Sequence, residues 1–176
     1  MTVHVLVLIS GIALGVVLSL LMGWLLIRLP APKVKFGTHI TKVNGSNGTP
    51  GKYRISFRNT GYRDLIDTEI VAELIIKGFE KDYLSHVSHL DLKINKTRMV
   101  SLNRKHRRAV FLDTSELPEL LLPEYRDAGV DDLLRIPNAS LRLVVAGYDR
   151  LGGMRKVFES KLYTVTDIRE RGNGDK

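Results

Sequence analysis

The hydrophobic positions divide the chain into two parts with different patterns. From Val3 to Ile27 no Asp, Glu, Lys or Arg interrupts the sequence. A helix of that length is about 37 Å long, which exceeds the roughly 30 Å hydrocarbon core of a bilayer. Beyond Arg28, apolar and polar residues alternate over short runs, as they do in half-buried strands. The pattern predicts a transmembrane anchor helix at residues 1–28 and a β-rich domain after it.

Short alternating segments predict the strands of that domain. The run 52–59 places Tyr53, Ile55 and Phe57 on one face and polar side chains on the other. Residues 66–77 fit a helix or a strand by periodicity, and their β-branched side chains favour a strand. Many short strands separated by turns are typical of an all-β sandwich. Further strands are predicted at 33–43, 90–94, 98–102, 109–112, 141–147 and 155–163.

Prolines and acidic residues mark the other segments. Pro30 and Pro32 end the predicted helix, because proline cannot continue its hydrogen-bond ladder, and they leave residues 29–35 as a short basic linker. Residues 115–134 combine prolines with six acidic side chains, which predicts short helical pieces on an acidic surface. We expect the β domain to occupy residues 36–168 and a disordered tail to follow at 169–176.

Charge and cysteine content narrow the setting of the domain. All 27 basic and 19 acidic residues lie from Arg28 onward, so the net charge of +8 belongs to this part alone. The chain has no cysteine, which excludes thiolate metal sites, Cys nucleophiles and disulfides and favours a reducing compartment. Arg28, Lys33 and Lys35 follow the span directly. By the positive-inside rule, the N-terminus is expected outside and the domain in the cytoplasm.

A cleavable signal peptide is the alternative to a membrane anchor. The N-terminus lacks a basic region, the apolar run is too long and no small-residue cleavage site follows it, so we expect a retained, single-pass anchor. Small residues recur at every fourth position of this helix, and such a stripe lets a second helix approach closely. Glycine is also simply common in membrane helices. The stripe consists of Gly11, Gly15, Ser19 and Gly23.

The sequence offers no constellation that predicts catalysis. It contains no nucleophile elbow, zinc-protease motif, P-loop or distinctive carboxylate pair, so we expect no catalytic residues, no cofactor and no enzyme. His86 and His89 are the only cluster with metal-ligand chemistry. Residues three apart on a strand point to opposite faces and no third ligand is near, so no metal site is expected.

Basic residues form the remaining candidate site. The run 104–108 could be a solvated hairpin tip, a contact for protein or for anionic lipid headgroups, or a nucleic-acid patch. No aromatic residue is interleaved for base stacking, so no nucleic acid is expected. The candidate lipid-binding residues are Arg28, Lys33, Lys35, Arg104, Lys105, Arg107 and Arg108.

Four segments follow one another in an order that resembles a known family. They are Arg28–Phe36, Phe57–Arg63 (FRNTGYR), Leu65–Leu74, and a closing group of Leu143–Gly147, Gly153-Met154, Ser160 and Tyr163–Ile168. This order resembles the second transmembrane helix and cytoplasmic domain of inward-rectifier potassium (Kir) channels, over roughly residues 20–168.

The resemblance implies an immunoglobulin-like β-sandwich that assembles as a tetramer beneath a membrane. It also implies that Arg28, Lys33 and Lys35 lie near phosphoinositide headgroups. The 176 residues hold no pore helix or selectivity filter, and Thr60-Gly61-Tyr62 belongs to the domain. Potassium selectivity requires rings of filter carbonyls, so we expect no selective conduction from this chain alone.

Three hypotheses follow. The first is a non-enzymatic, single-span membrane protein whose Kir-like cytoplasmic domain self-associates into a homo-oligomer and acts as a regulatory or scaffolding module. The second is a subunit or fragment of an inward-rectifier-type channel that a filter-bearing partner subunit completes. The third is an anionic-lipid sensor that uses the basic residues named above.

Overall fold

The computed structural model describes residues 2–28, 31–43, 52–78, 86–114, 117, 121, 125 and 128–170. The chain divides into two compact units, Met1–Ala31 and Pro32–Lys176. The first unit contains one helix, α1 (Thr2–Arg28), with exposed apolar side chains along its length. Its segment Val7–Leu25 is long and apolar enough to cross a membrane.

The second unit is mainly β, with two sheets and one short helix in its described part. The helix, α2, covers Val130–Arg135, and a single 3₁₀ turn covers Val165–Asp167. The strands are β1 (Val34–Phe36), β2 (Ile40–Val43), β3 (Lys52–Asn59), β4 (Leu65–Lys77), β5 (Val87–Leu92), β6 (Arg98–Leu102), β7 (Arg107–Leu112), β8 (Ala139–Asp149), β9 (Arg155–Glu159) and β10 (Ile168–Glu170).

Each sheet is organised around one strand. In the first sheet, β3 pairs with β7 along one edge and with β1 and β2 along the other, and β10 adds to β2 in parallel. In the second sheet, β4 pairs with β8 along one edge and with β5 and β6 along the other, and β9 flanks β8. β4 is about 40 Å long at the usual rise of a strand, so it reaches from one end of its sheet to the other.

The two sheets share one hydrophobic core. Tyr53, Ile55 and Phe57 are at most 5% exposed, which confirms the face predicted for β3. The 66–77 segment is a strand, as its β-branched side chains predict, and its alternate residues Ile70 and Leu74 enter the same core. Helix α2 adds Val130, Leu133 and Leu134 to it. The alternation of apolar and polar residues therefore determines which face each strand buries.

Two sequence predictions need correction, and a third lies mostly outside the described residues. The strand predicted at 33–43 is interrupted at 37–39 and forms β1 and β2. Arg169 and Glu170, predicted as part of a disordered tail, lie in β10 and pair with β2, whereas residues 171–176 lie outside the described residues. Of the short helical pieces predicted in 115–134, α2 lies among the described residues, and most of the segment before residue 128 lies outside them.

The side chain of Asn59 joins three separate segments of the domain. It is completely buried. Its Oδ1 accepts hydrogen bonds from the backbone N–H groups of Lys33, at 3.3 Å, and Gly61, at 2.9 Å. Its Nδ2 donates to the carbonyl oxygens of Arg63, at 2.7 Å, and Leu102, at 3.1 Å. Two acceptor and two donor positions are all that an amide side chain offers, so its capacity is fully used.

The geometry at Asn59 predicts a large effect of an isosteric change. Asn59→Asp replaces the donating Nδ2 with an oxygen that faces two carbonyl oxygens, and it buries a charge. We expect a loss of about 3 kcal/mol or more in the free energy of unfolding. Thermal and urea unfolding of the full-length protein in detergent measures it. Asn103→Asp, at an exposed position, is the matched control and should change stability by less than about 0.5 kcal/mol. Equal effects of the two changes would contradict the role of Asn59.

Candidate functional site

Three cationic side chains lie in a row across the first sheet. Lys35 of β1 is directly opposite Arg58 of β3, and Arg58 is directly opposite Arg107 of β7. Directly opposed residues of neighbouring strands share a face, here the face away from the core. In the described part of the chain, none of the three is in an ion pair. Like charges in such register destabilise a sheet, so the row is not explained by stability.

The row forms one side of a groove of about 300 Å³. Ser56 of β3 and the connection between β1 and β2, with Thr38 and His39, complete the polar lining. Arg107 Nη2 lies 3.3 Å from Ser56 Oγ, and Thr38 Oγ1 lies 3.2 Å from His39 Nδ1. None of the described residues that line the groove is acidic. The groove therefore collects positive charge and hydrogen-bond donors without a counter-charge.

Gly37 and Tyr163 hold the wall of this groove in place. The Gly37 N–H donates to the Ser56 carbonyl at 2.7 Å, and the Tyr163 hydroxyl donates to the Gly37 carbonyl at 2.6 Å. A Cβ on Gly37 would lie 2.8 Å from Ser56 Oγ and 3.2 Å from the Ser56 carbonyl oxygen. Only glycine fits this close approach, and the two hydrogen bonds fix the chain between β1 and β2.

The side chains of the lining suit a phosphate group chemically. A guanidinium group presents a planar fork of donors that matches two phosphate oxygens, and hydroxyl and imidazole groups supply further donors. An anion in the groove would also relieve the repulsion along the row of Lys35, Arg58 and Arg107. No group of three or more His, Asp or Glu side chains suited to a metal ion occurs among the described residues.

The structure divides the predicted basic run 104–108 between different surroundings. Arg107 joins the groove, whereas the guanidinium of Arg104 lies over the ring of Tyr62, 4.8 Å from its centre. Between them the chain turns at Lys105, which has a φ of 63°. Arg108 is exposed and lies opposite Phe57. The basic run 104–108 therefore contributes side chains to two separate surfaces and does not form a single patch.

The remaining predicted residues lie apart from the groove lining. Lys33 is exposed, and its carbonyl accepts from the Thr60 N–H at 2.6 Å. Arg28 is the last residue of α1, in the other unit. The small-residue stripe lies within α1, and a Cβ on Gly11, Gly15 or Gly23 would meet no other atom. Ser19 is likewise exposed on α1. The packing role of Gly11, Gly15, Ser19 and Gly23 remains a prediction.

His86 and His89 show no shared ligand geometry. His89 lies on β5, where its Nδ1 is 3.6 Å from Glu73 Oε2, and His86 precedes the strand. Sequence reasoning missed Arg58, Ser56 and His39 as site residues. The alternating polar positions of β3 indicate its solvent face, but only the register with β1 and β7 brings Arg58 between two other cations.

Removing the hydroxyl of Tyr163 should weaken the wall of the groove. Burial raises the pKa of Tyr163 to about 12, from 10.0. The folded protein keeps this proton while the unfolded chain loses it, so the stabilisation is complete below pH 10 and falls as the pH rises towards 12. Tyr163→Phe leaves the Gly37 carbonyl without this donor and should cost about 1–2 kcal/mol at neutral pH.

Unfolding of the full-length protein in detergent at neutral pH and at about pH 11 tests this expectation. The difference between the original chain and Tyr163→Phe should shrink at the higher pH. Tyr148→Phe, on an exposed tyrosine of β8, is the control and should show no such difference. An unchanged stability of Tyr163→Phe would contradict the assigned role.

Comparisons with protein families and with curated proteins found no relative of this chain. No protein-family model matches the sequence, and none of the curated proteins matches it.

Proposed function

We propose that this chain is a non-enzymatic, single-span membrane protein whose cytoplasmic β domain is a regulatory module that binds a phosphate-bearing anion in the groove of Lys35, Arg58 and Arg107. The observation that carries the proposal is the register of these three cations in a groove whose described lining has no acidic residue. Uncompensated charges placed side by side on a sheet favour a function in binding.

The anchor and the charge distribution support a membrane setting. α1 is long and apolar enough to span a bilayer, and only residues 29–31 separate its last residue from Pro32. An extended chain spans at most about 3.6 Å per residue, so this connector can span at most about 14 Å. The cytoplasmic leaflet carries anionic phospholipids, and each cation near it gains about 1 kcal/mol. The anion in the groove can therefore be a lipid headgroup or a soluble phosphate compound.

We also propose that the β domain is an immunoglobulin-like sandwich. Two sheets with one core, joined to an apolar helix, are compatible with an immunoglobulin-like sandwich of the Kir cytoplasmic type. In the segments that resemble that family, the side chain of Asn59, the last residue of β3, donates to the Arg63 carbonyl in the loop that follows, and the Tyr163 hydroxyl donates to the Gly37 carbonyl. The proposed regulatory role follows from this resemblance together with the groove.

The Arg58→Gln variant tests the groove directly. Arg58 lies between the other two cations, so its loss should remove about 1.5–3 kcal/mol of binding free energy, a roughly ten- to hundredfold weaker affinity. Binding is measured as the rise in unfolding temperature of the full-length protein in phosphatidylcholine nanodiscs. One arm adds inorganic phosphate, and the other uses nanodiscs that contain phosphatidylserine.

The control for this experiment is Arg169→Gln on the same sheet. Arg169 is exposed on β10, outside the groove, and its replacement changes the net charge equally. A site-specific effect requires that Arg58→Gln lowers the ligand-induced shift and Arg169→Gln does not. A response to phosphatidylserine alone identifies a lipid headgroup, and a response to phosphate alone identifies a soluble ligand. Equal behaviour of both variants in both arms would refute the anion site.

Self-association is a second candidate function, and a surface on the second sheet favours it. On the face away from the core, Val71 of β4 is opposite Val144 of β8. Two residues further along β8, Ala146 is opposite Val157 of β9, which is 56% exposed. Ion pairs border these valines: Arg142 binds Glu73 at 2.7 Å and Glu159 at 2.9 Å, and Arg155 binds Glu69 at 3.2 Å. An apolar centre with a polar rim is the usual anatomy of a protein interface.

The interface predicts a homo-oligomer that one charge disrupts. Light scattering of the full-length protein in detergent should give a mass that is a multiple of 19.8 kDa. Val157→Glu buries a charge in the apolar centre and should yield the monomer, whereas Val100→Glu, at a 91% exposed position outside this surface, should not. A monomer for the original chain would exclude self-association through this face. Capture of a filter-bearing subunit by the original chain, but not by Val157→Glu, would favour the channel-subunit hypothesis.

A further inference from the structure

Three loops of the domain converge on one carboxylate, Asp64. Asp64 Oδ1 accepts a hydrogen bond from the Arg104 backbone N–H at 2.8 Å, and its Oδ2 lies 3.6 Å from Arg150 Nη1. Its carbonyl oxygen accepts from the Arg150 N–H at 3.2 Å. The loop that follows β3, the connection from β6 to β7 and the β8–β9 hairpin therefore meet at one end of the domain. We call this surface the Asp64 end.

The Asp64 end exposes two large apolar side chains at the tips of its loops. Tyr62 is 68% exposed and Leu151 is 77% exposed. Neither contributes to the core, and their exposure gives no stability in water. Both side chains are therefore available to a partner surface at this end of the domain.

Cations surround these two tips. Arg104 stacks on Tyr62, Lys105 is exposed at the turn between β6 and β7, and Arg150 has a side chain that is 71% exposed. Tyrosine rings concentrate at the lipid–water interface, because one end of the ring is apolar and the other is wet. Lysine and arginine extend to the headgroups at the same level. The two apolar side chains match the acyl region of a phospholipid surface, and the cations around them match its anionic headgroups.

The Asp64 end is also where the chain enters the domain. The Lys33 carbonyl accepts from the N–H groups of Thr60, at 2.6 Å, and Gly61, at 3.3 Å, which immediately precede Tyr62. Residues 29–32 are all that separates Lys33 from Arg28, the last residue of α1. Five Cα–Cα steps from Arg28 to Lys33 span at most about 18 Å, so an anchored α1 limits the distance between this entry point and the headgroup region. The far end of β4 is about 40 Å away along the strand.

We propose that the Asp64 end is a membrane-contact surface: Tyr62 and Leu151 insert into the lipid–water interface, and Arg104, Lys105 and Arg150 bind anionic headgroups around them. The contact sets the orientation of the domain on the bilayer. It rests on the anchoring part of the proposed function and is independent of the groove, which shares none of these residues.

Spin labels on the full-length protein in nanodiscs test this contact. Because the chain contains no cysteine, single labels can be attached at Tyr62→Cys, Leu151→Cys and Val87→Cys without background. Val87 is the matched control: it is an exposed aliphatic residue opposite Lys77, at the other end of β4. Val16→Cys, in the middle of α1, reports whether the anchor is inserted.

Each label is measured by its accessibility to oxygen, which partitions into lipid, and to a water-soluble nickel chelate. We expect labels at 62 and 151 to be more accessible to oxygen and less to nickel than the label at 87. This corresponds to a depth of about 5–10 Å, as for interfacial segments. Equal accessibility at 62, 151 and 87 would overturn the proposal.

Variants that neutralise Arg104 and Lys105 test whether these cations bind anionic headgroups. In the Leu151→Cys background, Arg104→Gln combined with Lys105→Asn should increase nickel accessibility in nanodiscs that contain phosphatidylserine. Asn suits the positive φ at this turn. No change in accessibility would refute the role of these cations.

The two proposals can fail separately. A label at 16 shielded from nickel, with labels at 62 and 151 in water, would leave the anchor and the groove intact and remove only the contact surface. Phosphate binding that Arg58→Gln abolishes while the label at 151 stays shielded would show that the groove and the contact surface act independently. A label at 16 in water would remove the anchor on which both the contact and the membrane setting rest.

Discussion

The arrangement of this domain depends on one buried amide. The side chain of Asn59 uses all four of its hydrogen-bonding positions on the backbone of three segments. These are the start of the domain at Lys33, the loop to Arg63 and the end of β6. Each of those backbone groups would otherwise need water in a place where the side chain is completely buried. The groove and the Asp64 end both lie on elements that this amide aligns, so one side chain supports two surfaces with separate chemistry.

The strands and their buried faces were accessible from sequence, because the signal for them is local. Alternation over 52–59 determines that Tyr53, Ile55 and Phe57 face the core, whatever the neighbouring strands are. The 66–77 segment is ambiguous by periodicity, and its β-branched side chains, which fit a pleated surface better than a helix, decide in favour of β4. The break at Gly37 was not accessible, since it depends on a hydrogen bond from Tyr163, which is 126 residues away.

The candidate groove shows why site residues were only partly predicted. Lys35 and Arg107 belong to the predicted basic residues, but Arg58, which lies between them in the sheet, does not. Its position depends on the pairing register of three strands, which no short segment of sequence determines. The run 104–108 looks like a single cluster by composition. The left-handed turn at Lys105 sends Arg104 towards Tyr62 and Arg107 towards Arg58. Charge density along a sequence thus shows where cations are concentrated, whereas backbone geometry decides which surfaces they join.

The parallel pairing of β10 with β2 has a consequence for the order of events during synthesis. Ile168 lies beside Ile40, so the first sheet is completed only by residues near the end of the chain. Contacts of such long range make folding slow, and an unpaired strand edge can associate with other chains until its partner arrives. α1, in contrast, needs only its own hydrogen bonds and leaves the ribosome first. With the proposed anchoring of α1, the nascent chain would be held at a membrane before its domain can close, and the open edge of β2 would be kept away from other copies in solution.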